Sequence, residues 1–180
     1  MLVVLVNGLP GSGKTTLAQA LARALALPLL SKDRVKETLA DVLGAVPPDG
    51  STPVEWSRRL GMAAGETLWT LLADARGGAV LESPWLRDLR PVVVDGLRRA
   101  GVGDAQEVWC DVPADLALRR YRTRVGRHPI HLDSRVDDEL WSHWVRQAEP
   151  LALGPVHRVD TAGPVDVAGL VERVTVACVR

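Results

Sequence analysis

The stretch Gly8-Leu9-Pro10-Gly11-Ser12-Gly13-Lys14-Thr15 decides the fold of this 180-residue chain, because it matches the pattern G-x-x-x-x-G-K-[ST] in full. The apolar run from Leu2 to Val6 precedes it and is typical of a strand buried on both faces of a parallel sheet. After it, leucines recur at every fourth position, which predicts an amphipathic helix over residues 14–27. A glycine-rich loop between such a strand and such a helix favours phosphate binding, because its amides and the positive end of the helix meet the same anion.

The individual residues of this phosphate loop (residues 8–15) predict contacts with a magnesium nucleotide, for which we expect ATP and Mg²⁺. The glycines let successive backbone N–H groups converge on phosphate oxygens. Lys14 would reach the outer phosphates, the Thr15 hydroxyl would take a coordination position on Mg²⁺, and Thr16 would contact an inner phosphate. The residues predicted here to bind the nucleotide are Gly8, Gly11, Ser12, Gly13, Lys14, Thr15 and Thr16.

Strand and helix patterns alternate five times along the whole chain. The predicted strands cover residues 2–6, 29–31, 79–81, 106–110 and 156–160. The predicted helices cover residues 14–27, 33–43, 56–75, 86–100, 114–124, 140–148 and 165–177. Because crossovers between parallel strands are right-handed, we expect a single α/β domain over residues 1–180, a three-layer sandwich whose mostly parallel five-stranded sheet carries helices on both faces.

Residues 125–136 interrupt this alternation with a polar stretch that contains Gly126, Pro129 and Asp133, and we predict that they form a mobile lid. Arginines crowd the entrance to the lid. Two of them, Arg120 and Arg124, are four residues apart and would share one face of the predicted helix. The arginines of this cluster are Arg119, Arg120, Arg122, Arg124 and Arg127.

A lid that closes would bring guanidinium groups over the triphosphate, where they neutralise developing charge and exclude water. We therefore predict catalytic roles for Arg120 and Arg124, a nucleotide contact for Arg120 and a substrate contact for Arg127. The alternative is a solvated basic helix face whose arginines pair with Asp115 or Asp137.

Asp33 is the predicted general base. Phosphoryl transfer to a hydroxyl needs a carboxylate near the acceptor, and Asp33 follows the second strand, at the sheet edge where ligands bind in open parallel sheets. Lys36 lies three residues later, on the same helix face, and could hold an anionic part of the acceptor. The alternatives are a helix N-cap for Asp33 and a solvated surface side chain for Lys36.

Glu82 ends the third strand, where nucleotide-binding domains place an acid that supports Mg²⁺, so we predict a metal site of Thr15 and Glu82. The alternative for Glu82 is a strand-end acid that faces solvent or pairs with an arginine.

His128 and His131 are close enough for a metal pair, but without an evident third ligand we favour lid or substrate contacts. Trp141 and Trp144 have the spacing of core residues, with an aromatic wall for the acceptor as the minority interpretation.

Composition narrows the class of partner. The 22 basic and 22 acidic residues cancel, so no broad field attracts a polyanion, which argues against nucleic acid although a local patch could still bind it. The opening apolar run is too short for a membrane span, and we expect a cytoplasmic protein without a membrane anchor. Cys110 and Cys178 have no metal-ligand spacing and fit buried, inert thiols in a reducing compartment.

Taken together, these residues resemble the AAA-type P-loop kinases grouped around polynucleotide kinase, zeta toxin and chloramphenicol phosphotransferase. The resemblance covers most of the chain. It rests on the phosphate loop, on Ser-Lys-Asp-Arg at residues 31–34, and on Asp-Val-Pro at residues 111–113 before an arginine-bearing helix.

The resemblance to polynucleotide kinases implies that Asp33 is the general base, that Lys36 contacts the acceptor, and that Arg120 and Arg124 are lid arginines. The chain departs from their pattern at Glu82-Ser83, where those kinases have Ser-Asp, and at Lys36, where they have Arg.

Three functions compete on this sequence. The leading one is an ATP-dependent kinase for the hydroxyl of a small molecule: a metabolite, sugar, nucleoside or antibiotic. The first rival is a kinase for the 5′-hydroxyl of DNA or RNA, which should show a basic groove. The second rival is a nucleotide-driven switch or toxin-like regulator, which the lack of a GTP-specifying Asn-Lys-x-Asp motif weakens.

Overall fold

The computed structural model describes residues 1–48 and 50–177, and it contains five strands and seven α-helices within that part of the chain. The strands are β1 (Leu2–Asn7), β2 (Leu29–Ser31), β3 (Gly78–Glu82), β4 (Gln106–Asp111) and β5 (Val156–Asp160). The helices are α1 (Lys14–Leu25), α2 (Lys32–Leu43), α3 (Pro53–Asp74), α4 (Arg90–Arg99), α5 (Ala114–Arg122), α6 (Asp138–Gln147) and α7 (Val167–Ala177).

The five strands form one sheet in the order β2-β3-β1-β4-β5, and every neighbouring pair is parallel. The predicted α/β sandwich is therefore confirmed. In the register of the sheet, Glu82 lies opposite Val6, the penultimate residue of β1, and opposite Ser31 at the end of β2. The carboxyl ends of these strands consequently bring Ser31, Glu82 and the phosphate loop to one edge of the sheet.

Alternating side chains of β1 separate the two halves of the core. Val3 and Leu5 pack with α3 and α4, whereas Val4 and Val6 pack with α1 and α7. All four are almost completely buried. Burial on both faces explains the continuous apolar run in the sequence, because every residue of this strand after Leu2 is buried. Within the described residues, no helix combines the length and apolar character that crossing a membrane requires.

Several element boundaries differ from the predictions. Ser31 stands at the N-cap of α2, so Asp33 lies inside the first turn and is not the cap. The helix predicted over residues 114–124 ends at Arg122, which leaves Arg124 beyond it. The predicted helix over residues 86–100 begins at Arg90, after a short 3-10 turn. Cys110 is buried as predicted, while Cys178 lies outside the described residues.

The lid (residues 125–136) contains two short 3-10 turns and is packed against the helices. Ile130 is only 3% exposed and lies with Ala40 of α2 and Leu60 of α3 in a small apolar cluster. The Ser57 hydroxyl of α3 donates a hydrogen bond of 2.7 Å to the carbonyl of Ile130. Burial of one such side chain contributes roughly 1.5–3 kcal/mol, so the lid is docked by a specific anchor.

Candidate functional site

The phosphate loop leaves β1 at Asn7 and ends at the first turn of α1. Gly8, Gly11 and Gly13 have φ of 144°, 81° and 88°, which is backbone geometry that glycine adopts without strain. Among the described residues, the backbone amides of Gly13, Lys14 and Thr15 have no protein acceptor. These amides at a helix N-terminus are suited to an anion.

Gly11 also allows the loop to touch α5. A Cβ at this position would collide with the carbonyl oxygen of Ala117 and approach the amide of Tyr121. We expect Gly11→Ala to lower the free energy of unfolding by about 2 kcal/mol or more, because neither the phosphate loop nor the backbone of α5 can shift without loss of stability. Thermal unfolding checks this, with Gly103→Ala as the control because an added Cβ there meets open space. An equal effect of both substitutions would contradict this packing argument.

Lys14 lies beside the loop with its side chain buried. Its Nζ donates a hydrogen bond of 2.8 Å to the carbonyl of Leu9, and the residue is 6% exposed. Burial lowers the pKa of Lys14, and the opposing charge of Glu82 only partly offsets this effect. A polyphosphate placed at the loop would stabilise the ammonium form.

Glu82 connects three elements at the sheet edge. Its carboxylate accepts hydrogen bonds from Thr15 Oγ1 at 3.2 Å and from Ser31 Oγ at 2.7 Å. Glu82 is 3% exposed, so it does not face solvent. A hydroxyl and a carboxylate supply the hard oxygen ligands that Mg²⁺ prefers, and the pair fits the predicted metal site by donor chemistry.

Two cavities meet at the phosphate loop. The narrow cavity, of about 210 Å³, runs from the loop toward α2 and the lid. The wide cavity, of about 550 Å³, lies on the other side, between α1, α5 and the loop after β5. Residues that line both are Gly11, Gly13 and Arg124. Lining residues of the narrow cavity include Thr15, Asp33, Lys36, Glu82, Arg127 and His131. Lining residues of the wide cavity include Thr16, Leu17, Arg120, Thr161 and Val165.

Arg120 and Arg124 have different surroundings. Arg120 donates to the carbonyls of Thr161 at 2.9 Å and Ala162 at 2.8 Å, and it lines only the wide cavity. Arg124 follows the end of α5 and lies where the two cavities join. The prediction that both arginines share one helix face is therefore wrong, because Arg124 lies beyond the end of α5. Arg124 lies at the junction of the cavities and Arg120 holds the loop after β5, while the catalytic roles predicted for both, and the nucleotide contact of Arg120, stay predictions.

Two other arginines of the cluster make exposed ion pairs. Arg119 pairs with Asp115 at 2.6 Å, and Arg122 pairs with Asp138 at 2.6 Å. The alternative of an arginine paired with Asp115 therefore holds for Arg119. The other acid of that alternative, Asp137, caps α6 through the amide of Leu140. Exposed pairs of this kind contribute little to stability, and these two lie outside both cavities.

One face of α2 receives the lid. Asp33 accepts a contact from Arg127 at 3.2 Å, and Glu37, four residues on, lies 2.7 Å from His131. The next position at this spacing, Asp41, lies 3.1 Å from His128. The four-residue spacing of these acids is visible in the sequence, although their lid partners are not. The two histidines therefore contact acids of α2, and no cluster of three or more metal-binding side chains is found among residues 1–48 and 50–177.

The charge state of Asp33 reflects several neighbours. Burial raises its pKa, but His131, Arg127, Lys32 and Lys14 outweigh burial and hold the pKa below its ordinary value of 3.8. Burial also lowers the pKa of His131, so its imidazole is neutral at pH 7 and Arg127 is the permanent cation of the lid. Asp33 is consequently ionised at neutral pH, as a general base must be.

Lys36 lies in the narrow cavity with Asp33 and connects it to the lid. Its Nζ donates a hydrogen bond of 2.8 Å to the hydroxyl of Ser57, which in turn donates to Ile130. Burial, followed by repulsion from Lys32, lowers the pKa of Lys36 to about 8. This half-buried ammonium is not the freely solvated lysine of the alternative interpretation.

Sequence reasoning missed several residues that line these cavities. Trp144 is not among them, because an aromatic wall for the acceptor was its minority interpretation: it packs with Tyr121 and Trp141, as its spacing predicted, and it also lines the narrow cavity. The turn after β5, which begins at Thr161, lines the wide cavity. Its position after a strand in a parallel sheet was the signal that could have found it. Further residues missed are Pro84, Leu86, Asp133, Gly163, Pro164 and Val167.

Comparison with known proteins gives a consistent result. A family model described as an AAA domain matches residues 3–151. The crystal structure of a candidate kinase from Chloroflexus aurantiacus shares 34% sequence identity with a TM-score of 0.82, over 98% of this chain and 97% of that chain. The structure of an APS kinase from Mycobacterium tuberculosis in complex with AMPPNP and APS shares 22% identity with a TM-score of 0.55, over 99% of this chain and 98% of that chain. This second likeness concerns the fold.

A curated relative matches only locally. The cytidylate kinase of Pyrobaculum neutrophilum is 50% identical over 44 residues, which make up 24% of this chain and 24% of that protein. The match spans about a quarter of the relative's length. It supports a kinase-like P-loop fold.

Proposed function

The chain belongs to the AAA domain family, and from this premise we propose that it is an ATP-dependent kinase that transfers the γ-phosphoryl group to a hydroxyl of a small molecule. The observation that carries the proposal is the pair of cavities that meet at the phosphate loop. The wide cavity would take the nucleoside, and the narrow cavity would take the acceptor beside Asp33.

The apolar lining of the wide cavity supports its assignment to the nucleoside. Leu17, Ala20 and Val165 supply aliphatic surface, while Thr16 and Arg120 supply polar groups at its edge. Ligand cavities of proteins commonly combine apolar walls with a few polar groups in this manner. Arg120 fixes the turn at Thr161 and Ala162, so its role in this proposal is to shape the cavity.

The chemistry follows from the arrangement at the junction. The acceptor oxygen attacks the γ-phosphorus, the bond from this phosphorus to its bridging oxygen breaks, and the carboxylate of Asp33 takes the hydroxyl proton. Lys14, Arg124 and the free loop amides would stabilise the charge on the transferring group and on the nucleoside diphosphate that leaves. Thr15 and Glu82 would hold Mg²⁺, which when bound neutralises phosphate charge.

A small acceptor fits the narrow cavity better than a polynucleotide. Its volume of about 210 Å³ is below the range of roughly 300–1,000 Å³ that is usual for drug-sized ligands. The docked lid, anchored by Ile130, covers the side toward α2 and α3. A nucleic acid strand would need an open, basic groove, and Arg127 is already paired with two carboxylates.

The experiment that tests the proposal measures ATP consumption with pooled hydroxyl compounds, followed by mass spectrometry for a product that carries one added phosphoryl group. We expect one pool to accelerate consumption in the wild type and to give a phosphorylated small molecule. An oligonucleotide with a free 5′-hydroxyl is included as a separate pool. Phosphorylation of the oligonucleotide alone would refute the small-molecule proposal in favour of the polynucleotide one.

Lys36 provides a prediction about the acceptor. We propose that it binds an anionic group of the acceptor, because its ammonium lies near Asp33 without a carboxylate in direct contact among the described residues. Lys36→Met should raise the KM for a carboxylate- or phosphate-bearing acceptor about tenfold and change kcat by less than about threefold. The control is Arg34→Met, an exposed residue of the same helix outside the cavity.

The pH dependence follows from the same group. Since the pKa of Lys36 is about 8, its charge is present below that pH and is lost above it. The KM for such an acceptor should therefore rise as the pH passes through 8, and Lys36→Met should abolish this rise. A KM that climbs equally in the variant would contradict the assignment.

A further inference from the structure

A continuous chain of contacts leads from the aromatic cluster of α5 and α6 to the carboxylate of Asp33. The Tyr121 hydroxyl donates a hydrogen bond of 2.6 Å to Asp133 Oδ1. The same Asp133 oxygen lies 3.1 Å from one guanidinium nitrogen of Arg127. A second guanidinium nitrogen of Arg127 lies 3.2 Å from Asp33 Oδ2.

The surroundings of Arg127 restrict its side chain to this geometry in three ways. Its guanidinium carbon lies 5.5 Å from the centroid of the Tyr121 ring, within the range of a cation–π contact. The Tyr121 ring is itself packed against Trp141 and Trp144, with centroid distances of 6.0 Å to each. The Arg127 side chain is only 17% exposed. The Tyr121 ring lies against one face of the planar guanidinium, and Asp133 contacts one of its two terminal nitrogens. The other terminal nitrogen is therefore held in a fixed direction, toward Asp33.

The contact occupies only one oxygen of Asp33. Arg127 engages Oδ2, and no hydrogen bond to Oδ1 is found within the described part of the chain. Asp33 lines the narrow cavity, so a free oxygen of its carboxylate is available there to an acceptor hydroxyl. An arginine aimed at the acceptor or at the γ-phosphate would not be committed to two carboxylates in this way.

From this geometry we infer that Arg127 is a positioning residue, held by Asp133 and Tyr121, which fixes one oxygen of Asp33 and leaves the other to accept the proton of the acceptor. The inference rests on the proposed function for the role of Asp33. It replaces the predicted direct substrate contact of Arg127. It also assigns Asp133 and Tyr121, which carried no role in the sequence analysis.

The orientation of Asp33 depends on the docked lid, because Arg127 is a lid residue. Arg127 lies three residues before Ile130, the lid residue that is buried between α2 and α3. Displacement of the lid would withdraw Arg127 from Asp33 together with Ile130 from its apolar contacts. The base would then be oriented only while the lid is docked.

The charge of Asp33 in the free protein provides the test, and it requires neither ATP nor an acceptor. Among the described residues, the other basic groups near Asp33 are Lys14 of α1, Lys32 and Lys36 of α2, and His131 of the lid, whose imidazole carries a charge only at acidic pH. Arg127→Gln leaves all four in place. Carbon-13 NMR of carboxyl-labelled aspartate, with the Asp33 signal assigned by its loss in Asp33→Asn, follows the titration directly.

We expect no titration of Asp33 in the wild type from about pH 4.5 to 8, and a pKa in Arg127→Gln raised by about one unit, so that titration begins within this window. Tyr121→Phe removes a neutral hydroxyl and keeps the ring. We expect it to raise the pKa of Asp33 by less than Arg127→Gln does, and this rise would report a change in the position of Arg127, because no charge has been removed. Arg119→Gln, which breaks only the exposed pair with Asp115, should match the wild type.

A titration of Asp33 in Arg127→Gln that is indistinguishable from that of the wild type would overturn the inference. If Arg127→Gln failed to fold, Arg127→Lys and Tyr121→Phe would decide, and wild-type behaviour of Asp33 in both would overturn it. Failure of the proposed kinase activity would leave this titration unaffected, and the two failures are therefore distinguishable.

Discussion

Replacement of Asp33 by Asn is expected to lower kcat by about 10²–10⁴-fold, which is the usual contribution of a general base. The amide keeps the size of the side chain but cannot take the hydroxyl proton. Because Asp33 lines the narrow cavity and not the wide one, the affinity for magnesium ATP should stay within about threefold of the wild type. Steady-state kinetics with the acceptor found in the pooled screen, together with calorimetric titration of nucleotide, measure both quantities.

The matched control is Asp111→Asn. Asp111 ends β4 at the same edge of the sheet, but its side chain is exposed and lies 3.4 Å from Arg158. This variant should retain nearly full activity. Unchanged turnover in Asp33→Asn would remove the assignment of the base, and a large loss in Asp111→Asn would show that acids at this edge act through general electrostatics.

Replacement of Lys14 by Met is expected to have a comparable effect through the nucleotide. The ammonium is buried beside the loop, where it donates a hydrogen bond to the carbonyl of Leu9. Loss of one such group from a preorganised site costs about 10²–10³-fold in kcat, and the affinity for magnesium ATP should fall as well. Methionine retains the aliphatic stem, so its packing is preserved.

Lys36→Met is the control for Lys14→Met, because it also removes one positive charge but from the narrow cavity. The comparison shows whether the loss of ATP affinity depends on the position of Lys14 or on positive charge in general. Lys36 lies in the narrow cavity, and its removal should leave ATP affinity unchanged while it raises the KM for an anionic acceptor. Equal losses of ATP affinity in Lys14→Met and Lys36→Met would contradict the division of the site into two cavities.

The features that depend on local pattern could be predicted from the sequence. The phosphate loop was recognisable because its residues and the flanking strand and helix follow one another directly in the chain. Glu82 could be placed at the sheet edge because parallel strands end together, and its hydrogen bond with Thr15 agrees with that placement. Its role toward Mg²⁺ stays a prediction.

The features that depend on distant contacts could not be predicted. Arg120 bonds carbonyls 41 and 42 residues away, so its commitment to the turn after β5 was invisible from helix periodicity. The pairing of Asp33 with Arg127 spans 94 residues. Docking of the lid depends on the packing of Ile130 against apolar side chains of α2 and α3, which are distant in the sequence. The mobility of the lid, its direct contact with phosphate, and the resemblance to the polynucleotide kinase group stay predictions.

The central claim is that the phosphate loop holds the polyphosphate of a magnesium nucleotide. Isothermal titration calorimetry with magnesium AMPPNP tests it most directly, since a non-transferable analogue reports binding without turnover. We predict saturable binding at one site per chain, with a dissociation constant between about 1 μM and 1 mM, and marked weakening in Lys14→Met. Absence of binding to the folded wild-type protein at millimolar nucleotide, or equal binding by Lys14→Met, would contradict the account.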